Sequence, residues 1–411
     1  MKLTKNSIID VTISKLNKDD LGVAYIDDYI ITVPYSLIGE VVKVKIVEIS
    51  GNRLSGQLVD IAKYQDAPCK YFRQCGGCSI QHLPDYQTYK FEKFENSISD
   101  IAYDNLHNLR SIGQNSRRRA SFKVTGNKLS FNKFHSKDTV AIDNCLLLED
   151  PLNKLINPIN KLLAKINAKI TNVSILNSDS GIEILFHSSK NSDLNSDILM
   201  GEFAHQYNIA LIAWVINDSA PYEIISRNKV QLILNEVRID LPINSFLQVS
   251  KESSQMMSEI ILEHIDNQGK ILELYCGCGS FTIGLASKAS VLAVEGNEAA
   301  TSSLARAAAE YRLPIKTMTR DLYQQPITCD VLNNYTQIVI NPPRNGATPQ
   351  IKQIALALKV KKLILISCSV ESFVRDAKIL IKDNFILQDI YPIDQFLYSG
   401  HLEIIGVFKR A

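Results

Sequence analysis

The stretch Ile271-Leu-Glu-Leu-Tyr-Cys-Gly-Cys-Gly-Ser-Phe-Thr-Ile-Gly-Leu285 reads as a buried strand, a glycine turn and the start of a helix. In an open α/β sheet, ligands collect at the carboxyl ends of such strands. Gly277 and Gly279 carry no Cβ, so the backbone there admits a ligand closely. An acidic residue about twenty positions on, ending the next strand, suits ribose hydroxyls. Glu295, in Val291-Leu-Ala-Val-Glu-Gly-Asn297, fills that place, and Asp321 follows the third strand, where an adenine edge would lie. The turn lacks a third spaced glycine and a basic partner, which disfavours a pyrophosphate. Together these features favour an adenosine ligand with a positive centre and no phosphates, which is S-adenosylmethionine.

Working outward, the chain beyond about Ser250 alternates strands and helices. The predicted helices are Ser253–Ile265, Ala299–Tyr311 and Pro349–Leu358. The predicted buried strands are Lys270–Leu274, Ser290–Glu295, Pro314–Thr319, Gln337–Ile340 and Lys362–Ser367. That alternation implies a doubly wound sheet. From about Ser116 to Val249 the signals are mostly β, with a helix at Pro151–Ile166; a further amphipathic helix is expected at Tyr86–Ala102. Residues 1–60 hold five short β-branched runs, Asp10–Ser14, Gly22–Tyr25, Tyr29–Val33, Glu40–Ile49 and Leu54–Ile61, punctuated by turn residues. Five such strands suggest a small barrel of OB type, either an oligonucleotide binder or an interaction module with no RNA role. The expected domains are 1–60, 61–245 and 246–411.

The 411 residues carry 45 basic and 43 acidic side chains, a net charge of +2 that neither demands nor excludes a nucleic-acid partner. Met1–Asp10 has no apolar signal core, and no run of apolar residues is long enough to span a membrane, so a cytoplasmic protein, acting as a monomer, is expected. Of the eight cysteines, Cys69, Cys75 and Cys78 are closely spaced. A reducing compartment disfavours disulfides, leaving metal binding or catalysis for that cluster. Its thiolates, with one distant cysteine, suit either zinc or an iron–sulfur cluster, and spacing alone does not decide. Arg117-Arg118-Arg119 opens a strand and could neutralise phosphates or form a solvated charge run. Tyr71, Phe72, Arg73, Phe131, Lys133 and Phe134 mix aromatic and basic groups suited to stacking on splayed bases.

The whole chain resembles the RNA uracil-C5 methyltransferases that carry an N-terminal TRAM domain. The Leu274-Tyr-Cys-Gly-Cys-Gly279 turn looks like that family's cofactor loop. Cys69-x5-Cys75-Gly-Gly-Cys78 with Cys145 matches its iron–sulfur ligand pattern, and Phe246-Leu-Gln248 matches a substrate-contacting motif. Ile366-Ser-Cys368 follows a buried strand where the family keeps its nucleophile, and Ser399-Gly-His-Leu-Glu403 is similar to the motif carrying the catalytic base. The resemblance implies an OB-like TRAM barrel, a central mostly β domain with a [4Fe-4S] cluster, and a C-terminal Rossmann-like class I methyltransferase. It implies Cys368 as nucleophile and Glu403 as base. S-adenosylmethionine would lie on Gln248, Tyr275, Gly277, Gly279, Glu295, Asp321 and Asn341. The cluster would be held by Cys69, Cys75, Cys78 and Cys145. RNA would meet Phe246, Arg117, Arg118, Arg119 and Arg344; the overall likeness is to enzymes of 23S ribosomal RNA, with transfer RNA as the alternative. One position departs from the family: Asn341-Pro-Pro-Arg344 has asparagine where aspartate is usual.

The implied chemistry suits these residue types. Carbon 5 of uracil is a poor nucleophile until a nucleophile adds to carbon 6 and makes it enolate-like. A thiolate suits that addition. A base must then remove the proton from carbon 5 so that the cysteine can leave, while Arg344 and Asn341 could stabilise the enolate or hold the pyrimidine edge. The uridine must be extruded from its RNA, with Phe246 stacking on it or on a neighbour. The competing readings are amino-group methylation, which Asn341-Pro-Pro invites, and a non-catalytic RNA-binding protein on the same fold.

Overall fold

The computed structural model describes residues 3–59, 67–134, 136–217 and 219–411. The chain divides into two compact units. One comprises Met1–Glu92, Phe131–Val140 and Phe396–Gly400; the other comprises Lys93–Ser130, Ala141–Gln395 and His401–Ala411.

In the first unit, alternating apolar residues build a six-stranded sheet. Its order is Ile8–Thr12, Val41–Ser50, Arg53–Leu58, Tyr29–Val33, Gly22–Ile26, Lys15–Leu16. Along Val41–Ser50, Val42, Val44 and Ile46 point inward and are buried with Val11, Ile13, Ile31 and Leu54. This is the side-chain period of two expected of a half-buried strand. All five expected strands form, while the two-residue strand Lys15–Leu16 is too short to have left a pattern. The last strand ends at Leu58, and the expected extension to Ile61, like the expected domain boundary at 60, falls on residues outside those described.

In the second unit, Arg119–Thr125, Ile170–Asn177, Ile182–Ser188, Ile209–Ile216 and Tyr222–Ser226 are successive neighbours in one sheet. Helix Asp150–Leu163 buries Leu152, Leu155, Ile156, Ile159 and Leu162, an i, i+3, i+4 stripe that made it readable. Helix Leu194–Gln206 was not anticipated. Leu194 and Ile198 are exposed, so its apolar residues do not form a single stripe. Topology nevertheless requires such an element: Ile182–Ser188 and Ile209–Ile216 pair in parallel, which needs a crossover.

The larger sheet runs Ile315–Thr319, Ser290–Glu295, Lys270–Leu274, Gln337–Ile340, Lys362–Ser367, Glu403–Arg410, Phe385–Asp394, then Asn105–Leu106. The first five strands are parallel, and Glu403–Arg410 inserts antiparallel to both its neighbours. The four inner parallel strands are apolar on both faces because helices cover both sides, as the sequence runs suggested, whereas Ile315–Thr319, expected to be buried, lies at the sheet edge with its residues partly or fully exposed. Among the described residues no helix is long and apolar enough to cross a membrane.

Gly406 sits where Glu403–Arg410 passes under helix Val370–Lys382. A Cβ there would lie 2.7 and 2.8 Å from two ring carbons of Phe373, which is 1% exposed. Gly406→Ala should therefore lower unfolding stability by about 1–3 kcal/mol, the usual cost of overpacking. Urea denaturation measures it; an unchanged midpoint would show that the helix shifts freely.

Candidate active site

The turn after Lys270–Leu274 is left-handed three times, at Tyr275 (φ 60°), Gly277 (φ 57°) and Gly279 (φ 95°). The two glycines have different duties. A Cβ on Gly279 would strike Leu304 at 2.7 Å, so that glycine seats the turn on helix Glu298–Glu310. A Cβ on Gly277 would meet nothing within 4 Å, so space opens beside this part of the backbone. Glu295 ends the neighbouring strand. One of its carboxylate oxygens accepts from the Gly277 N–H at 3.1 Å, and the other from the Asn297 N–H at 2.9 Å. The carboxylate expected at the ribose thus also fixes the turn. The Asp321 carboxylate accepts from the Tyr323 and Gln324 amides. Burial, then Asp321 and Glu295, push the Tyr275 phenol up to about 12; its hydroxyl is buried without a hydrogen-bond partner. Cys276 and Cys278 are buried beside the glycines, as expected of packing residues.

At the next strand ends, the Asn341 N–H donates to the Leu274 carbonyl at 3.2 Å, joining the Asn-Pro-Pro-Arg loop to the cofactor turn. Asp376, buried at 1%, accepts from Thr348, Ala347 N–H and Arg375 and so anchors the far end of that loop at the start of helix Thr348–Leu356. Arg344 is exposed, and its guanidinium lies 3.3 Å from the His401 ring. Cys368 follows Lys362–Ser367 and is half-buried. Burial, and next the Glu403 carboxylate, raise its thiol, while Arg344 lowers it. Glu403 opens the antiparallel strand, is 3% exposed, and is pushed up to about 8 by burial, with a hydrogen bond from Gln395 opposing. Cys368, Glu403 and Arg344 therefore share one electrostatic neighbourhood.

The Phe246-Leu-Gln248 loop is held from beneath by arginines. Arg118 donates through Nε to the Gln248 carbonyl at 3.0 Å, and Arg119 through Nη1 to the Leu247 carbonyl at 3.4 Å. Phe246 is 64% exposed, with the Arg119 guanidinium 4.9 Å from its ring centroid. This corrects the reading of Arg118 as a phosphate contact. It is 2% exposed and supports the loop instead. Arg117 and Arg119 are partly exposed. Glu183, also unanticipated, accepts from the Asn244 N–H at 2.9 Å at the start of the same loop.

In the first unit, Cys69, Cys75 and Cys78 are partly exposed, and the Gly77 N–H donates to the Cys75 sulfur at 3.4 Å. Cys145, in the other unit, has its backbone clamped by the Asn153 amide. Among the described residues no three His, Cys, Asp or Glu side chains gather as a metal ion requires. Phe72 is not a base platform either, being buried edge-on against Tyr35 at 5.1 Å.

A parallel sheet with one reversed strand, and a glycine turn tied to an acidic residue on the neighbouring strand, define a class I S-adenosylmethionine-dependent methyltransferase. Residues 87–411 match the family described as tRNA (Uracil-5-)-methyltransferase, and residues 2–59 match the TRAM domain. An uncharacterised RNA methyltransferase of Brucella melitensis is 30% identical over 427 residues, spanning 100% of both chains. The 23S rRNA (uracil(1939)-C(5))-methyltransferase of Mannheimia succiniciproducens is 26% identical, covering 98% of this chain and 96% of that one. The fold matches the Pyrococcus abyssi tRNA (uracil-54, C5)-methyltransferase crystallised with S-adenosyl-L-homocysteine. That match has a TM-score of 0.74 at 20% identity and covers 97% of this chain and 100% of that one. The chain belongs to the TRAM-containing family of RNA uracil-C5 methyltransferases.

Because Glu295 bonds the Gly277 amide and is expected to meet the ribose, Glu295→Ala should weaken S-adenosylhomocysteine binding about ten- to hundredfold, the worth of charge-assisted hydrogen bonds. Calorimetric titration tests this; wild-type affinity would assign Glu295 to the turn alone.

Proposed function

We propose that this enzyme forms 5-methyluridine in 23S ribosomal RNA, with Cys368 as nucleophile and Glu403 as base. The carrying observation is geometric: Glu403 opens the strand that pairs with Lys362–Ser367, Ser367 lies opposite Ile404, and Cys368 follows Ser367, so carboxyl and thiol stand at the same end of the sheet, close enough for the carboxylate to raise the thiol. Such a pair is needed for carbon methylation and has no use in amino-group methylation. The ribosomal relative favours 23S RNA over transfer RNA.

The Cys368 thiolate adds to carbon 6, and the ring's double-bond electrons pass to carbon 5 and the carbonyl oxygen. Carbon 5 takes the sulfonium methyl, breaking the methyl–sulfur bond and releasing S-adenosylhomocysteine. The Glu403 carboxylate then removes the carbon-5 proton, the ring double bond re-forms, and the thiolate leaves. Arg344, which lowers the Cys368 thiol, favours the attacking form. Phe246 and the partly exposed Arg119 offer a stacking surface for the extruded base or its neighbour. Gln248, Tyr275, Gly277, Gly279, Glu295, Asp321 and Asn341 line the cofactor's place in this reading.

The donor chemistry of Cys69, Cys75 and Cys78, with Cys145 as the fourth thiolate of the spacing, fits a [4Fe-4S] cluster better than a hard cation. The Gly77 amide on Cys75 is the kind of contact that supports a ligating sulfur. Its role would be to brace the RNA-binding part, since no step above needs an electron. Protein purified without oxygen should contain iron and sulfide, and Cys145→Ser should lose much of the iron. Stoichiometric zinc without sulfide would reverse this assignment.

In vitro transcribed 23S RNA carrying 5-fluorouridine should form an adduct that survives denaturation and depends on S-adenosylmethionine, because fluorine cannot leave as the proton does. Cys368→Ala should form none. Glu403→Gln should accumulate adduct with ordinary uridine and turn over about a hundred- to ten-thousandfold more slowly. With Glu403 pushed up to about 8, its basic form grows as pH rises, so wild-type adduct decay should quicken toward that pH. Full methylation by Cys368→Ala, or methylation confined to transfer RNA, would overturn the mechanism or the substrate respectively.

A further inference from the structure

Gln395 lies one residue beyond strand Phe385–Asp394 and is 4% exposed. Nothing in the surrounding sequence had marked it. Its amide is fully engaged. Oε1 accepts from the Ser253 hydroxyl at 2.9 Å, while Nε2 donates to Glu403 Oε2 at 2.5 Å and to Gln248 Oε1 at 3.4 Å. Ser253 is itself oriented, accepting from the Ser250 hydroxyl at 2.9 Å where helix Lys251–His264 begins. These partners determine which way the amide faces. In the ionised form that a base requires, Glu403 only accepts hydrogen bonds, so in that form the nitrogen lies toward Glu403 and the oxygen toward the serine hydroxyl. Among the described residues Glu403 Oε1 has no hydrogen-bond partner, so one carboxylate oxygen is held and the other is left to take a proton.

We infer that Gln395 is the positioning residue of the proton-abstraction step: it clamps Glu403 through one oxygen and ties it to Gln248 of the substrate loop. The inference rests on Glu403 being the base. The bond that breaks in this step is carbon 5–hydrogen; its proton goes to Glu403, its electrons re-form the ring double bond, and the Cys368–carbon 6 bond breaks to release thiolate. An N–H directed at the carboxylate favours its charged, basic form against the cost of burial. It also stops the carboxyl from rotating once the RNA is seated. Of the titratable or charged groups, Cys368 after Lys362–Ser367 is coupled to Glu403, Asp394 ends the strand that pairs with it, and Arg344, which contacts His401, acts on the thiol. Only Gln395 donates a hydrogen bond to the Glu403 carboxylate among the described residues.

The test uses full-length protein, 23S transcript with ordinary uridine, and quenched single turnovers across pH. Gln395→Met keeps the volume and burial but has no donor. Adduct formation should stay within about threefold of wild type, because addition and methyl transfer precede the base. Adduct decay near neutral pH should slow about tenfold or more, the usual worth of a hydrogen bond to a charged group. The acid limb of the decay profile should move to higher pH. Gln395→Glu sets a second carboxyl against Glu403 and should move that limb further up, since two adjacent carboxylates resist ionising together. If Gln395→Met fails to bind S-adenosylhomocysteine as wild type does, the isosteric Gln395→Glu carries the test. Wild-type decay and an unmoved limb in the variant that binds would overturn the inference. Glu403→Gln run alongside separates the two ideas: no trapped adduct there removes the base assignment itself, whereas trapped adduct there with normal decay in Gln395→Met removes only the role of Gln395.

Discussion

Strand Glu403–Arg410 is inserted antiparallel between Lys362–Ser367 and Phe385–Asp394, and its register sets the geometry of the proposed reacting groups. Ser367 lies opposite Ile404, and Ile393 lies opposite Glu403. The residues that continue these strands, Cys368 on one side and Asp394 and Gln395 on the other, therefore reach the same end of the sheet as Glu403. A parallel final strand would present its carboxyl end there, so the residue opening it could not stand beside the residue closing Lys362–Ser367. A one-residue slip would be as harmful, since it would turn every side chain of the strand to the opposite face. The reversal thus brings together residues far apart in sequence, and the flanking helices hold the register by packing on both faces.

The cofactor end depends on a different device. Its shape comes from backbone conformation, with three left-handed residues in five positions, and from one carboxylate that ties the turn to the next strand. These two parts meet through the Asn341 amide on the Leu274 carbonyl. The contact uses the main chain of Asn341 and does not depend on its side chain. The usual aspartate could make the same backbone bond, so asparagine at this position need not disturb the scaffold.

Much of this was legible because the signals were local. Lys270–Leu274, Ser290–Glu295, Gln337–Ile340 and Lys362–Ser367 form with the bounds their apolar runs gave. Gly277, Gly279 and Glu295 announced themselves by spacing. What could not be read was set by tertiary contacts. Arg118 and Arg119 look alike in sequence, yet the first is buried beneath the Gln248 carbonyl and the second reaches a partly exposed aromatic ring. Phe72 resembles a stacking platform until Tyr35 is seen packed on it. Helix Leu194–Gln206 hid because its apolar residues are split between core and solvent. Gln395 hid because an amide beside a carboxylate is common in any sequence, and its meaning arises only when strand pairing brings Glu403, Gln248 and Ser253 around it.

Glu273 and Glu403 show how little a shifted carboxyl means without its position. Both are buried, both are pushed up to about 8 by burial, and each receives one hydrogen bond, from the Thr282 hydroxyl and the Gln395 amide respectively. In both cases the folded state keeps its proton over a range where the unfolded carboxyl, at about 4.5, has lost it. Folding stability therefore falls as pH rises between those values. The two differ in place. Glu273 sits inside a parallel strand, closed off by strands on both sides and by the helix that carries Thr282. Glu403 stands at the first residue of its strand, beside a thiol that it perturbs. A proton on Glu273 is part of the core's packing, whereas under the proposed mechanism the same cost to stability at Glu403 maintains the carboxyl that takes the carbon-5 proton. Perturbation by itself only nominates a site; access to a reacting partner distinguishes a base from a buried acid.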